Sequence, residues 1–213
     1  MNISKQILSP RSSKRPGGNY TKTTITIHSV GNMKSTAQNE RDWLDNKSNT
    51  RDASWHYVVG EDTIIQAIPD NEEAWHCGVT AGNRHSLSVE ICESGDRRQT
   101  LFNAAQFVAA KLKELGLTIN DVKRHYDWTS KNCPRILIDR SFIKGDMDWK
   151  WFLQEVENNM IQIEKIKMIV NGHEKEVSRI LVDGTNYIKI RDVADKLGYN
   201  ISSNGNIPVL TKK

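Results

Sequence analysis

The sequence predicts an α/β protein, with a central mixed β-sheet flanked by helices and a small α+β domain at the carboxyl end. Three observations predict this class. β-branched stretches that alternate in polarity, such as residues 23–30, are interspersed with longer stretches of helical period, such as residues 100–115. Near residue 160 the pattern changes to short apolar runs separated by Asn-Gly and Asp-Gly. We therefore expect one domain over residues 1–160 and a smaller one over residues 161–213.

The first 92 residues are expected to form four strands and one helix, after a polar, extended lead-in over residues 1–20. β-branched and aromatic residues bounded by turn residues predict the strands, which span 23–30, 53–59, 63–68 and 86–92. Charged residues around Trp43 and Leu44 predict an amphipathic helix over residues 35–47. Residues 69–84 are expected to form a loop.

The middle of the chain is expected to contain two helices separated by a loop. Apolar residues recur at three- and four-residue intervals from Thr100 to Leu115, and Gly116 supplies a stop signal. A loop that includes residues 124–134 follows this helix, and residues 148–160 are predicted to form a closing helix.

The last 50 or so residues have the turn pattern of a small β-rich unit. Asn171-Gly172 predicts a hairpin over residues 167–177, and Asp183-Gly184 predicts a second hairpin over residues 180–188. The other expected elements are a short helix over 190–197 closed by Gly198, and strand fragments at Ile201 and 207–210. A core of this size suggests that the unit depends on a partner or on the first domain.

Composition argues against binding to nucleic acid and against insertion into a membrane. The chain has 30 Lys and Arg against 26 Asp and Glu, and residues 161–213 hold nine of the former and six of the latter. This excess is too small to indicate nucleic-acid binding, although a mildly basic tail is compatible with an anionic surface as a partner. An uninterrupted apolar stretch of about 18 residues, as a membrane helix requires, is absent from the sequence.

The first residues and the cysteines both indicate a reducing compartment. Residues 1–11 lack the apolar core of a secretory signal, so we expect the protein to be made and kept in a cytoplasm. Cys77, Cys92 and Cys133 do not form a disulfide framework, and metal binding or burial is the more probable use of each.

A candidate metal site is centred on the loop that contains His125 and Cys133. An imidazole and a thiolate suit zinc, and a catalytic zinc site takes three protein ligands and leaves one position open. His28, at the polar end of the first long predicted strand, is the candidate third ligand. Glu90, a carboxylate among apolar strand residues, is the candidate acid and base, and Lys131 is the candidate oxyanion-stabilising cation. This set of groups suits metal-assisted amide hydrolysis.

Each of these residues also has a simpler interpretation. His28 alone is more often a hydrogen-bonded surface histidine, and Cys133 alone is often a small buried apolar residue. Glu90 must point away from Val89 and Ile91, because strand side chains alternate, but it can face either water or a cleft. Lys131 can be a solvated loop charge.

The motifs, taken together and in order, resemble the zinc-dependent N-acetylmuramoyl-L-alanine amidases. This family includes many phage endolysins, bacterial amidases and the peptidoglycan recognition proteins. The resemblance covers residues 20–155, and the motifs are Ile25-Thr26-Ile27-His28, Ser54-Trp55-His56-Tyr57-Val58-Val59, Ala74-Trp75-His76-Cys77-Gly78, Ser88-Val89-Glu90-Ile91, and His125-Tyr126-Asp127-Trp128 with Lys131-Asn132-Cys133-Pro134.

The resemblance implies the fold of that family and one Zn²⁺ per catalytic domain, held by His28, His125 and Cys133. It also implies that Glu90 and Lys131 assist catalysis. The implied reaction is cleavage, by zinc-activated water, of the amide between the lactyl group of N-acetylmuramic acid and L-alanine of the stem peptide. Some relatives carry a tyrosine where this chain has Trp55, so an acid or base role of that tyrosine does not transfer.

Three further residues are expected to bind the substrate. His56 and His76 are expected to line the groove or to orient neighbouring groups rather than to bind metal, and a structural role stays open for either. Trp75 offers a flat apolar face to a sugar or peptide, although a core position is nearly as consistent with its sequence context.

The tail resembles a copper amine oxidase N-terminal-like domain. The likeness lies in Val170-Asn171-Gly172, in residues 180–188 and in residues 190–199. Such units recur as accessory domains of Gram-positive wall proteins, which implies attachment to the wall or assembly rather than copper chemistry. Wall polymers other than peptidoglycan are a further possible partner of this domain.

These expectations favour a phage or prophage endolysin that lies in the host cytoplasm without a signal peptide and acts on bacterial peptidoglycan after release. A bacterial amidase acting on wall fragments inside the cell is the alternative within the same class. A non-catalytic peptidoglycan-binding module is the alternative from another class, and such modules typically lack a complete zinc triad. The sequence leaves both a monomer and a dimer open.

Overall fold

A computed structural model of the chain describes residues 3–161, 163–182, 184–205 and 207–213. Two compact units are present, residues 1–160 and residues 161–213, and each is described separately below.

The larger unit is built on a six-stranded mixed sheet. Its strands are β1 (Ile3–Lys5), β2 (Thr24–Ser29), β3 (Tyr57–Val59), β4 (Ile64–Gln66), β5 (Ser86–Ile91) and β6 (Val122–Arg124). The strand order is β1-β4-β3-β5-β2-β6, and each neighbouring pair is parallel except the antiparallel pair β3 and β4. The prediction of a central mixed sheet is confirmed.

Six α-helices accompany this sheet, and they are α1 (Ala37–Leu44), α2 (Thr80–His85), α3 (Arg97–Leu115), α4 (His125–Thr129), α5 (Arg135–Ile138) and α6 (Trp149–Met160). The Asp96 side chain accepts the N–H of Gln99 at the start of α3, and Gly116, with φ 67°, ends that helix in a left-handed conformation. The predicted helix at 100–115 is therefore correct and begins three residues earlier.

Alternate residues of the central strands face two separate apolar clusters. Tyr57 and Val59 of β3 contribute to the cluster that includes α3 and α6, whereas Val58 between them contributes to the other. Ile25 and Ile27 of β2 also belong to the first cluster. Because strand side chains alternate, the next residue of β2, His28, is directed to the opposite face of the sheet.

Several short elements were not predicted. β1 and β6 have three residues each, and they are stabilised by parallel pairing with distant strands rather than by a local pattern. α2 occupies the end of the predicted loop at 69–84, and α4 and α5 form where the loop at 124–134 was expected to continue. Elements this short carry too few residues for a helical or strand period to be visible.

The smaller unit contains two antiparallel sheets among its described residues. The first has the order β7 (Ile163–Val170), β8 (His173–Val182) and β9 (Thr185–Ile188), and the second pairs β10 (Tyr199–Asn204) with β11 (Ile207–Lys212). Asn171 and Gly172 have φ values of 50° and 78° between the paired residues Val170 and His173, so the predicted Asn-Gly hairpin is correct.

The other tail predictions have mixed outcomes. β8 and β9 pair as the second hairpin requires, although Asp183 itself lies outside the described residues. The helix predicted over residues 190–197 is present only as a 3₁₀ turn at Ile190–Asp192 followed by further turns. The Asp192 side chain accepts the main-chain N–H of Ser178 on β8 at 2.7 Å, which anchors this segment to the sheet rather than letting it extend as a helix.

A helix long and apolar enough to span a membrane is not found among the described residues.

Candidate metal centre

The carboxyl ends of two adjacent strands bring two candidate ligands together, and the loop after α4 adds the third. Ile27 of β2 pairs with Arg124 of β6, so the residues that follow, His28 and His125, lie side by side. Cys133 is held close to them because its carbonyl accepts the N–H of Tyr126, in the first turn of α4, at 3.0 Å. The candidate donor atoms of His28, His125 and Cys133 all lie within 4.8 Å of one another, and all three residues are buried.

The donor atoms fit a zinc ion in kind and in spacing. The Nδ1 atoms of His28 and His125 are 3.1 Å apart, and the Sγ atom of Cys133 is 3.8 Å from Nδ1 of His28. Zinc bonds of about 2.0–2.3 Å in a tetrahedral arrangement separate the donor atoms by roughly 3.3–3.8 Å. Two imidazoles and a thiol that converge close to this spacing therefore suit a three-ligand zinc site.

Burial keeps both imidazoles neutral, which is the form that binds a metal. It holds the pKa of His28 well below its usual value, with smaller contributions from His76, His125 and Lys131. Burial, assisted by Lys131, lowers the pKa of His125 to about 4. Burial also raises the pKa of the Cys133 thiol to about 12, so binding of a metal would release a proton from this residue.

His76 hydrogen-bonds to the ring of His28 from the side opposite the cluster. Nδ1 of His76 lies 3.0 Å from Nε2 of His28. Such a bond leaves Nδ1 of His28 to face the other two donors, and it fixes the orientation of the ring. Nε2 of His76 is buried and has no hydrogen-bond partner among the described residues. His76 therefore orients a candidate ligand and also borders the cleft next to it.

Glu90 faces the same cleft from the neighbouring strand. It is paired in register with His28 across β2 and β5, while Val89 and Ile91 point into the core on the other side. Its Oε2 atom is buried without a hydrogen-bond partner among the described residues. Burial is the main cause that raises the pKa of Glu90 to about 8; Glu40 raises it further and Lys131 opposes the shift. Of the two orientations open from the sequence, Glu90 takes the one toward the cleft.

Lys131 lies at the border of this cleft. In the sequence it stands between the candidate ligands His125 and Cys133. Its side chain is exposed, and it lines the cleft together with His28, Glu90 and Cys133. Its positive charge lowers the pKa of both His28 and His125, so the Lys131 ammonium interacts electrostatically with two of the candidate ligands.

Of the roles left open for His56 by the sequence, which were lining the groove, orienting neighbouring groups or supporting the structure, its surroundings favour the last. His56 is completely buried. Its Nδ1 lies 2.9 Å from the Ser88 hydroxyl, and its Nε2 lies 2.9 Å from the Glu72 carbonyl oxygen. With both ring nitrogens occupied and no exposed surface, His56 links three segments of the core. His56 does not line the cleft, and its hydrogen bonds to Ser88 and Glu72 support a structural role.

The cleft extends on both sides of the donor cluster. Trp75 and His76 border one side, where a second cavity continues past Asp52 and Asn83. Trp75 is half-buried, so part of its ring is accessible from the cleft. The other side is bordered by residues that the sequence reasoning did not select, which are Glu40, Trp43, Asn49 and Arg51. The sequence signal for this side was Trp43, a tryptophan within a charged stretch.

Comparison with known proteins identifies relatives of this arrangement. Residues 19–136 match the N-acetylmuramoyl-L-alanine amidase family. The N-acetylmuramoyl-L-alanine amidase CwlH of Bacillus subtilis (strain 168) is 33% identical over 150 residues, which cover 67% of this chain and 60% of CwlH. The N-acetylmuramoyl-L-alanine amidase CwlA of the same organism is 42% identical over 128 residues, which cover 56% of this chain and 46% of CwlA.

A solved structure has the same fold as the larger unit. The catalytic domain of XlyA superimposes with a TM-score of 0.66 at 30% identity, over 73% of this chain and 99% of that domain. The chain spans about half the length of the curated relatives it matches.

Proposed function

The chain belongs to the N-acetylmuramoyl-L-alanine amidase family, and we propose that it hydrolyses the amide between the lactyl group of N-acetylmuramic acid and L-alanine of the stem peptide in bacterial peptidoglycan. The observation that carries this proposal is the convergence of His28, His125 and Cys133 beside Glu90 in one cleft. A phage or prophage endolysin is the biological setting that we propose for this activity.

Zn²⁺ is the cofactor that we propose for the site, with His28, His125 and Cys133 as its ligands. When bound, it would lower the pKa of water and polarise the amide carbonyl.

The remaining groups of the cleft have complementary roles in amide hydrolysis. Hydrolysis adds water across the C–N bond, so one proton must leave the attacking water and one must reach the departing L-alanine nitrogen. Glu90 accepts the first proton and delivers it to that nitrogen; its raised pKa, about 8, lies near neutral pH, where one group performs both transfers well. The Lys131 ammonium stabilises the negative charge that develops on the carbonyl oxygen.

Two other parts of the chain are assigned to binding. Trp75 and His76 contact the substrate on one side of the cleft, where the indole ring offers an apolar face to a sugar or peptide. Residues 1–160 form the zinc amidase domain, and residues 161–213 attach the enzyme to the wall or mediate assembly. The excess of basic residues in this smaller unit favours an anionic wall polymer as a partner.

Release of new amino termini from purified cell walls tests the proposal. Incubation of the wild-type protein with walls and Zn²⁺ is expected to release L-alanine amino groups without new reducing sugars, and a chelator is expected to abolish the release. Cys133→Ser, which removes the thiolate ligand, serves as the low-zinc control. Wall binding without any new amino groups would overturn the proposal and identify a binding module instead.

A further inference from the structure

One buried carboxylate, that of Glu93, joins the two segments that follow His28 and Cys133. The Glu93 side chain is completely buried, two residues beyond the end of β5. Its Oε1 accepts the main-chain N–H of Gly31, three residues after His28, at 3.0 Å. Its two oxygens also accept three hydrogen bonds from the Arg135 guanidinium, two residues after Cys133, over distances of 2.6–3.1 Å.

The groups on both sides of this carboxylate are themselves held in place. The Arg135 guanidinium lies 4.2 Å from the centre of the Phe142 ring, and its side chain is only 26% exposed. Gly31 has φ 73°, a left-handed conformation that suits glycine and that turns the chain at the end of β2. The Glu93 carbonyl also accepts a hydrogen bond from Arg97 at 3.2 Å. The Glu93 carboxylate is thus held rigidly between the segment that contains Gly31 and the segment that contains Arg135.

Glu93 is separate from the surface that a substrate would touch. The residues that line the described cleft include Glu90 from the same chain segment, but Glu93 is not among them. Its side chain has no exposed area. Because Glu93 does not line the cleft and both of its oxygens accept hydrogen bonds from Gly31 or Arg135, no direct role in proton transfer or substrate binding is assigned to it.

We propose that Glu93 is a positioning residue for the metal site, which fixes the spacing between the segments that carry His28 and Cys133. The inference rests on the proposed zinc function. Charge-assisted, bidentate hydrogen bonds are the strongest and most directional available to side chains. A metal site needs its donors within about 0.5 Å of the productive geometry, so a rigid tie between two ligand-bearing segments raises metal affinity by preorganisation.

Loss of an ion pair that serves stability alone would lower the melting temperature without changing zinc affinity. The chain contains such an ion pair, which serves as a matched control. Glu72 also accepts two hydrogen bonds from an arginine, Arg15, at 2.5 and 2.7 Å, and both side chains are mostly buried. The Glu72 carboxylate is not bonded to the segments that follow His28 and Cys133. Glu72→Gln therefore removes a comparable ion pair without loosening the proposed tie.

The experiment compares Zn²⁺ affinity and Co²⁺ spectra in full-length Glu93→Gln, Arg135→Lys and Glu72→Gln. Zinc affinity is measured by competition with a chelator, the thiolate-to-cobalt absorption band reports the ligand geometry, and thermal unfolding reports stability. We expect Glu93→Gln to bind Zn²⁺ about tenfold more weakly, in the lower range seen for outer-shell partners of metal ligands, and to alter the cobalt band. Glu72→Gln is expected to lower only the melting temperature.

Arg135→Lys provides the second variant if Glu93→Gln does not fold. Lysine keeps the positive charge but cannot form the bidentate hydrogen bonds of a guanidinium. Zinc affinity and the cobalt band are therefore expected to change in the same direction as in Glu93→Gln, but by a smaller amount. Wild-type zinc affinity and cobalt spectrum in the folded variants would overturn the inference while leaving the proposed function intact. A wild-type protein that binds neither metal would overturn both.

Discussion

Glu90 and His28 are paired in register on neighbouring parallel strands, and both project from the carboxyl ends of those strands into one cleft. Because the pairing is part of the sheet, their separation does not depend on a flexible loop. The candidate acid and base is therefore held beside a candidate ligand by main-chain hydrogen bonds, whereas His125 and Cys133 come from the following helix and loop.

This relationship predicts the behaviour of Glu90→Gln. The amide keeps the size of the side chain but cannot accept and return a proton, so kcat is expected to fall about 10²- to 10⁴-fold. None of the three candidate ligands is altered, so the zinc content should equal that of the wild-type protein. The measurements are metal analysis and the rate of L-alanine amino-group release. Activity within threefold of the wild-type protein, at equal zinc content, would refute the role of Glu90.

Lys131→Met is expected to separate oxyanion stabilisation from ligand binding. Loss of the ammonium should reduce kcat about 10²- to 10³-fold, the range found when one oxyanion donor is removed, and should change KM much less. Lys144→Met is a suitable control, because Lys144 is exposed and does not line the cleft. A fall in wall binding with kcat unchanged would show instead that Lys131 acts as a substrate-binding charge.

Lys22 is expected to make the stability of the protein depend on pH in the alkaline range. Its ammonium is buried and donates to the carbonyl oxygens of Glu72 and Arg84, each at 2.7 Å. Burial, opposed by Asp70 and Glu73, lowers the pKa of Lys22 from 10.5 to about 8. Between pH 8 and pH 10.5 the Lys22 side chain binds more protons in the unfolded chain than in the native protein. The contribution of Lys22 to the free energy of unfolding therefore increases with pH in this window.

Comparison with Lys22→Met measures that contribution. The stability difference, wild type minus variant, should increase from pH 8 to pH 10.5 by at most about 1.4 kcal/mol per pH unit. Below pH 8 the difference should be constant, because Lys22 is protonated in both states. Urea unfolding at several pH values gives the difference, and a difference that stays flat or declines across this window would contradict the depressed pKa.

The sequence predicts the elements whose stability is local. The alternation in β2 and β5 and the helical period of α3 are visible in single segments, and both led to correct elements. β1 and β6 depend on pairing with strands far away in the chain, which a local period cannot reveal. The helix α2 was taken for part of a loop for a different reason, because its six residues are too few to show a helical period.

Some features of the candidate site could also be predicted from the sequence, whereas others could not. Residue chemistry was sufficient to select His28, Glu90, His125 and Cys133, because a metal site requires uncommon groups. The distinct roles of His56 and His76 were not predictable, since both follow aromatic residues in similar motifs. Their roles depend on which groups the fold brings near each ring.

Removal of the smaller unit is expected to separate hydrolysis from attachment to the wall. Residues 1–160 and 161–213 form separate compact units, and the six-stranded sheet and all candidate site residues lie in the first. A chain that ends at Met160 should therefore fold and keep the kcat of the full-length protein on soluble muropeptides. A smaller fraction of it should co-sediment with intact walls than of the full-length protein. This difference should be largest at low salt, where the basic tail contributes most.

Salt dependence provides the internal control for this truncation. If the tail binds an anionic wall polymer, raising the salt concentration should bring full-length binding toward that of the truncated chain, because screening removes only the electrostatic contribution. Equal sedimentation of the two forms at every salt concentration would contradict a wall-binding role. In that case, a loss of subunits on truncation, measured as the number of chains per particle by analytical ultracentrifugation, would indicate that the smaller unit serves assembly instead.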